Sequence, residues 1–185
     1  LDVSVRITEP DLRAAQRGDP SALSLVYGQL APAVLGYLTA KGAADPEALT
    51  SEVFLALFRR LPLVTGGVAG LRTLTFTIAH ARVVDDARRA AREPDTVPYE
   101  PALDRRAGAS AEDIAVARFG RSRILDLLGV LPRDQAEVLI LRVLSDLSVS
   151  QTGQVMQRSP GAVKQLQRRA LLTLRQALLS EAVTE

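Results

Sequence analysis

The sequence predicts an all-helical fold of two small domains joined by a flexible linker, the C-terminal domain being a helix-turn-helix. Three observations carry this. Apolar residues recur at three- and four-residue intervals in segment after segment, and no strand alternation interrupts them. A stretch from Glu93 to Asp113 breaks every periodicity and contains Pro94, Pro98 and Pro101, which sets the residues before it apart from those after it. Ser148 to Gln176 carries the punctuation of two helices separated by a three-residue corner.

Composition bounds the rest. A chain of 185 residues, 47% of them hydrophobic, with 10 prolines and 12 glycines, can bury one core or two small ones and still leave a linker. It contains no cysteine, which removes disulfides and thiolate chemistry, and a single histidine, His80, cannot build a histidine metal site. No metal and no cofactor are expected. Phosphate-loop spacing is absent and no nucleophile neighbours the histidine, so an enzyme is the least supported class. No apolar run approaches the roughly 18 residues of a membrane span, and LDVSVRITEP lacks a basic start and an apolar core. A cytoplasmic site of action without membrane insertion is therefore expected. Net charge is only +2, so any binding to nucleic acid must rest on local patches.

Taken in order, Leu12, Ala15, Ala22, Leu23 and Val26 have helical spacing, with Gly18-Asp19-Pro20 as a stop and restart, which gives two short helices. A third runs from Leu30 to Ala40 and ends at Lys41-Gly42. Pro46 to Leu61 forms a fourth, opened by Asp45 and burying Leu49, Val53, Phe54, Leu57 and Phe58. Leu61 to Gly70 reads as a loop, with Pro62 and three glycines. From Leu71 to about Arg92 a further helix turns Leu74, Ile78, and Ala81 or Val84 inward. Arg72, His80, Arg82, Arg88, Arg89 and Arg92 point mostly outward. Beyond the linker, Ile114 to Leu128 is amphipathic, and Pro132 restarts the chain for a helix carrying Val138, Leu139, Leu141 and Leu144.

The C-terminal stretch is the most informative. Ser148 with Gln151 makes a capping box for a helix to about Met156, Gln157 and Arg158 break the pattern, and Ser159-Pro160 open a second helix. Its apolar positions Val163, Leu166, Ala170 and Leu174 face the first helix, and Gly153 removes bulk at the crossing. The opposite side holds Arg158, Lys164, Arg168, Arg169 and Arg175, with no acid among them. Lys164, Gln165 and Arg168 project together near the helix start, where Gln and Arg can read base edges while the other cations suit phosphates. The plain alternative is a solvated basic face.

At Leu131-Pro132-Arg133-Asp134-Gln135-Ala136-Glu137-Val138-Leu139-Ile140-Leu141-Arg142, then Leu147-Ser148 and Ser159-Pro160-Gly161-Ala162-Val163-Lys164, the chain resembles the C-terminal promoter-reading domain of bacterial sigma factors. The small, two-domain extracytoplasmic-function group is the nearest type. The likeness extends forward: Asp11, Leu12, Ala15, Gly18, Asp19, Ala22 and Tyr27 match that group's first domain. It implies a core-polymerase and minus-ten domain over residues 1–92, a linker over 93–113 that threads the polymerase channel, and a minus-thirty-five domain over 114–185.

The resemblance also implies site residues. Minus-thirty-five DNA would meet Ser159, Gly161, Lys164, Gln165, Arg168 and Arg169. The minus-ten element would meet Arg72, Phe76, His80, Arg82, Arg88 and Arg89, beside a 61–70 loop that captures an unpaired base. A coiled coil of the polymerase largest subunit would dock on Asp45, Glu47, Leu49, Glu52, Val53 and Leu55. Four positions depart from the family pattern: Ala48 replaces an Asp, Ser51 a Gln, Leu74 a Trp and Ala81 an Asn. The expected partners are RNA polymerase core, promoter DNA and an anti-sigma factor. Two other readings stay open, a stand-alone helix-turn-helix regulator and a sigma-like chain held by an anti-sigma partner.

Overall fold

The computed structural model describes residues 6–90 and 127–184. The expected linker at 93–113 and most of the 114–128 helix lie outside these residues. Among the described residues every regular element is helical.

The N-terminal part is built from α1 (Glu9–Gln16), α2 (Pro20–Ala40), α3 (Pro46–Arg60), a 3₁₀ turn at Leu61–Leu63, and α4 (Gly67–Ala90). Gly18, at φ +84°, ends α1, and the Asp19 side chain then caps α2 by accepting from the Ala22 N–H at 2.9 Å. Asp45 does the same for α3 through Ala48.

Where two separate helices were expected between Pro20 and Ala40, the chain forms one helix of 21 residues. Pro32 lies inside it and leaves the Gly28 carbonyl without its usual donor, a cost of about 3 kcal/mol in a helix interior. Continuity is favoured because both halves bury side chains on one side: Val26 and Leu30 before the proline, Val34, Tyr37 and Leu38 after it. By length and composition α2 could cross a membrane, which the sequence reading did not register. In this fold it is the central core helix, touching α1, α3 and α4. Pro32 itself is exposed, so Pro32→Ala should restore the lost hydrogen bond and raise stability by about 1–3 kcal/mol. An unchanged or lowered thermal midpoint would contradict this.

The C-terminal part begins for description with a helical turn at 127–129. It continues through α5 (Arg133–Leu139), which widens into a π turn at Ile140–Leu144, then α6 (Val149–Met156) and α7 (Pro160–Thr184). One apolar cluster runs through both parts, from Val26, Val34, Tyr37, Leu57 and Phe76 to Val138, Leu141, Leu147, Val155 and Val163. A smaller one joins Leu131, Leu139 and Ala170. The π turn rests on α2, and α6 rests on α4. The two parts therefore close on each other.

Candidate nucleic-acid and polymerase interface

The helix-turn-helix is α6 and α7. The Ser148 Oγ accepts from the Gln151 N–H at 3.2 Å while the Gln151 Oε1 accepts from the Ser148 N–H at 2.8 Å, so the capping box is reciprocal. Gln157 takes the left-handed conformation at φ 53° and ends α6. A Cβ on Gly153 would lie 2.7 Å from the Arg158 carbonyl oxygen and 3.7 Å from Val163. The corner itself, more than the crossing helix, requires glycine here. Ser159 caps α7 through the Ala162 N–H at 3.2 Å.

Val163 is fully buried and Leu166 half-buried against the main cluster, as expected. Ala170 and Leu174 instead pack with Leu131, Ala136 and Leu139, because α7 outruns the short α6 and its later turns cover α5. Ser159, Gly161, Lys164, Gln165, Arg168 and Arg169 are all exposed on α7. A groove of about 430 Å³ runs along Lys164, Gln167, Arg168, Leu171, Leu172 and Arg175. Arg158 is tied to Asp134 at 3.0 Å, and Arg142 donates to the Leu147 carbonyl and to Gln167, fixing α5 against the corner.

The second surface surrounds the glycine loop. α4 begins at Gly67, four residues earlier than expected, because the Glu9 carboxylate accepts from the Val68 N–H at 2.9 Å and serves as a cap from outside the loop. A cleft of about 650 Å³ opens between Leu63–Gly66, Gly70, Thr73 and Thr77 on one side and Gln151 and Gln154 of α6 on the other.

The structure corrects the expectations for α4. Phe76 is wholly buried, edge-on to Tyr37 at 5.8 Å, and cannot stack on a base. His80 is turned into a polar cluster with Glu137 and Tyr37 instead of outward. Ala81 is exposed, and Leu71, Thr75, Ala79 and Val83 form the inward side with Ile78. Arg72 is engaged by Asp146 at 3.0 Å and Arg82 by Glu52 at 3.7 Å. Arg88 and Arg89 are exposed, Arg88 near Asp85 at 3.8 Å.

On α3 the structure divides the expected residues. Leu49 and Val53 are buried in the core and present nothing to a partner. Asp45, Glu47, Glu52 and Leu55 are exposed, Leu55 at 60%, together with Ala48 and Ser51.

Sequence reasoning missed the cluster around Glu137. This side chain is 3% exposed. Its carboxylate receives Tyr37 Oη at 2.7 Å, Lys41 Nζ at 2.7 Å and His80 Nδ1 at 2.7 Å. A carboxylate only accepts, so Nδ1 of His80 carries the hydrogen. Burial alone would raise the Glu137 carboxyl, but the hydrogen bonds from His80, Lys41 and Tyr37 and the Lys41 charge together outweigh it and hold the group at about 2. Burial, then the Glu137 charge and hydrogen bond, push the Tyr37 hydroxyl well above its usual range.

A depressed carboxyl contributes stability that is fully present above its unfolded value near 4.5 and is lost as pH falls through about 2. The thermal midpoint of the native chain should therefore drop more steeply across that window than that of Glu137→Gln. Parallel midpoint curves would refute this assignment.

Described residues that are helical throughout, with a capped helix-turn-helix whose outer face carries no acid from Arg158 to Arg175, have the architecture of a DNA-binding protein. Known proteins narrow the class. A family model described as sigma-70, region 4 matches residues 121–174. The ECF RNA polymerase sigma factor SigD of Mycobacterium tuberculosis is 33% identical over 173 residues, covering 90% of this chain and 81% of that protein. The ECF RNA polymerase sigma factor BldN of Streptomyces coelicolor is 32% identical over 170 residues, and the aligned region spans 91% of this chain but 64% of that relative. The solved structure of CnrH in complex with the cytosolic domain of CnrY has the same fold, with a TM-score of 0.64 at 20% identity over 93% of this chain and 97% of that one. The chain belongs to the ECF RNA polymerase sigma factor family.

Proposed function

We propose that the chain joins RNA polymerase core in the cytoplasm and directs promoter-specific initiation, acting by binding and strand capture with no chemistry of its own. The observation that carries this is the α7 face, where Lys164, Arg168, Arg169 and Arg175 are exposed with no acid from Arg158 to Arg175. A major groove admits such a helix, and its first turns supply both base-reading and phosphate-binding groups. In this reading residues 114–185 form the minus-thirty-five unit, and residues 1–92 form the core-binding and minus-ten unit.

The core contact falls on the exposed α3 groups Asp45, Glu47, Glu52 and Leu55, with Leu49 and Val53 holding the helix from beneath. Arg72, Arg82, Arg88 and Arg89 remain as minus-ten contacts, and the 64–67 turn with the first turn of α4 as the place for an unstacked base. An anti-sigma partner is consistent with Leu171, Leu172, Leu178 and Leu179, which stay exposed on α7.

Transcription from a randomised promoter library, with purified chain added to bacterial core polymerase, tests the reading. Transcripts that require both components and share two upstream motifs are expected. DNA binding that core does not enhance would favour a stand-alone regulator instead, a reading supported by the replacement of two polar docking groups at Ala48 and Ser51.

A further inference from the structure

The closed arrangement of the two parts has a chemical lock at its centre. Tyr37 and Lys41 come from the C-terminal end of α2, His80 from α4, and the three converge within hydrogen-bond distance on the carboxylate of Glu137, which belongs to α5. No other described acid meets such a set of donors. Burying a lone carboxylate would oppose closure, whereas a carboxylate with a cation and two further donors is compensated only when the parts are together. Open, the chain leaves a half-buried socket of donors on one part and a bare carboxylate on the other. The lock is therefore specific to one closed geometry.

Two further bridges lie on the same side. Arg72 meets Asp146 at 3.0 Å. Gln151 keeps its Oε1 for the α6 cap and spends both Nε2 hydrogens across the gap, on the Ala69 carbonyl at 2.8 Å and on Thr73 Oγ1 at 2.9 Å. Gln151 and Gln154 thereby form one wall of the cleft over the glycine loop. Arg72 and His80, two helical turns apart along α4, both engage the C-terminal part.

We propose that Tyr37, Lys41 and His80 form a carboxylate socket which, when filled by Glu137, latches α6 over the Gly66 turn and the first turns of α4 (67–73) and holds the chain in a form closed to single-stranded promoter DNA. The part of this that concerns DNA rests on the minus-ten assignment made above. The latch itself does not. A competing partner able to open it would present a carboxylate of its own to the same socket.

The absence of cysteine allows two labels to be placed cleanly. Spin labels at Arg17→Cys and Gln176→Cys, both exposed positions on opposite parts, report closure in the full chain. One narrow distance is expected for the native sequence. Glu137→Gln removes the charge from the centre of the latch, and Lys41→Glu sets a second carboxylate against the first from a rim position whose side chain is 17% exposed.

Each variant should move a measurable fraction of molecules to longer distances and speed amide exchange at 66–73 by tenfold or more, with helicity retained. Should Glu137→Gln lose helicity, Lys41→Glu decides, because its site is partly open to solvent. A native-like narrow distance in a folded Lys41→Glu chain would overturn the latch, as would a broad distribution in the native sequence. Binding of a fluorescent single-stranded oligonucleotide should rise with the open fraction. Opening without that rise would support the latch and remove the assignment of the loop to promoter DNA.

Discussion

Gly70→Ala is expected to destabilise the N-terminal part by about 2–3 kcal/mol, lowering the thermal midpoint by roughly 5–10 °C. A Cβ at this position would stand 1.8 Å from the Thr65 carbonyl oxygen and 2.9 Å from its carbon. Both are backbone atoms, so no rotamer change relieves the overlap and the 64–67 turn has to move. That turn is already constrained, with Gly66 at φ +78° and Gly67 at φ +63°, and the Gly70 N–H closes it by donating to the Gly66 carbonyl at 3.0 Å. Gly28→Ala is the matched control. Nothing lies within 4 Å of its added Cβ, and it sits inside α2, where alanine is favoured over glycine by about 0.5–1 kcal/mol. The two substitutions should therefore shift the midpoint in opposite directions, and a Gly70→Ala chain as stable as the native one would show that the turn is not held as described.

The glycine content of 61–70 was visible in the sequence, but the contact that makes Gly70 indispensable was not. The same division runs through the molecule. Features written in neighbouring residues were legible: the Ser148–Gln151 box, the Ser159-Pro160 restart, the Lys41-Gly42 stop, and the buried Val163. The sequence divides Pro20 to Ala40 into two helices, whereas the core side chains on both sides of Pro32 keep it as one. The start of α4 was misplaced because its cap, Glu9, comes from 59 residues away.

The site residues divide in the same way. The α7 cations sit on a helix with one wet side, so periodicity alone exposed them. α4 is covered on two sides, by α2 and α3 on one and by α6 on another. A single helical stripe cannot describe such a helix: it turns His80 outward and leaves Phe76 to DNA, whereas His80 meets Glu137 and Phe76 packs against Tyr37. In the sequence Glu137 is one residue of the Leu131–Arg142 motif. A glutamate among Val138, Leu139 and Leu141 reads as the polar side of an amphipathic helix, and its partners at Tyr37, Lys41 and His80 lie 57 to 100 residues away. The one local hint was the tyrosine and lysine ending an otherwise apolar helix.

The largest effect on function is expected from Lys164→Ala combined with Arg168→Ala. The two side chains are one helical turn apart on the exposed face of α7, and neither has an ion-pair partner among the described residues. Their removal should leave folding unchanged, since the buried positions of that helix are Val163 and Ala170. Promoter affinity of the chain with core polymerase should fall on the order of 100-fold, given about 1–3 kcal/mol for a base-reading contact and a further loss for each phosphate contact. Salt separates the two roles. Loss of a phosphate-binding cation flattens the dependence of log affinity on log salt by about 0.9 and weakens all sequences alike, whereas loss of a base contact relaxes preference at one position. Single variants assayed on matched and mismatched minus-thirty-five sequences at several salt concentrations would therefore assign Lys164 and Arg168 individually. An unchanged footprint with both removed would take the recognition role away from α7 altogether.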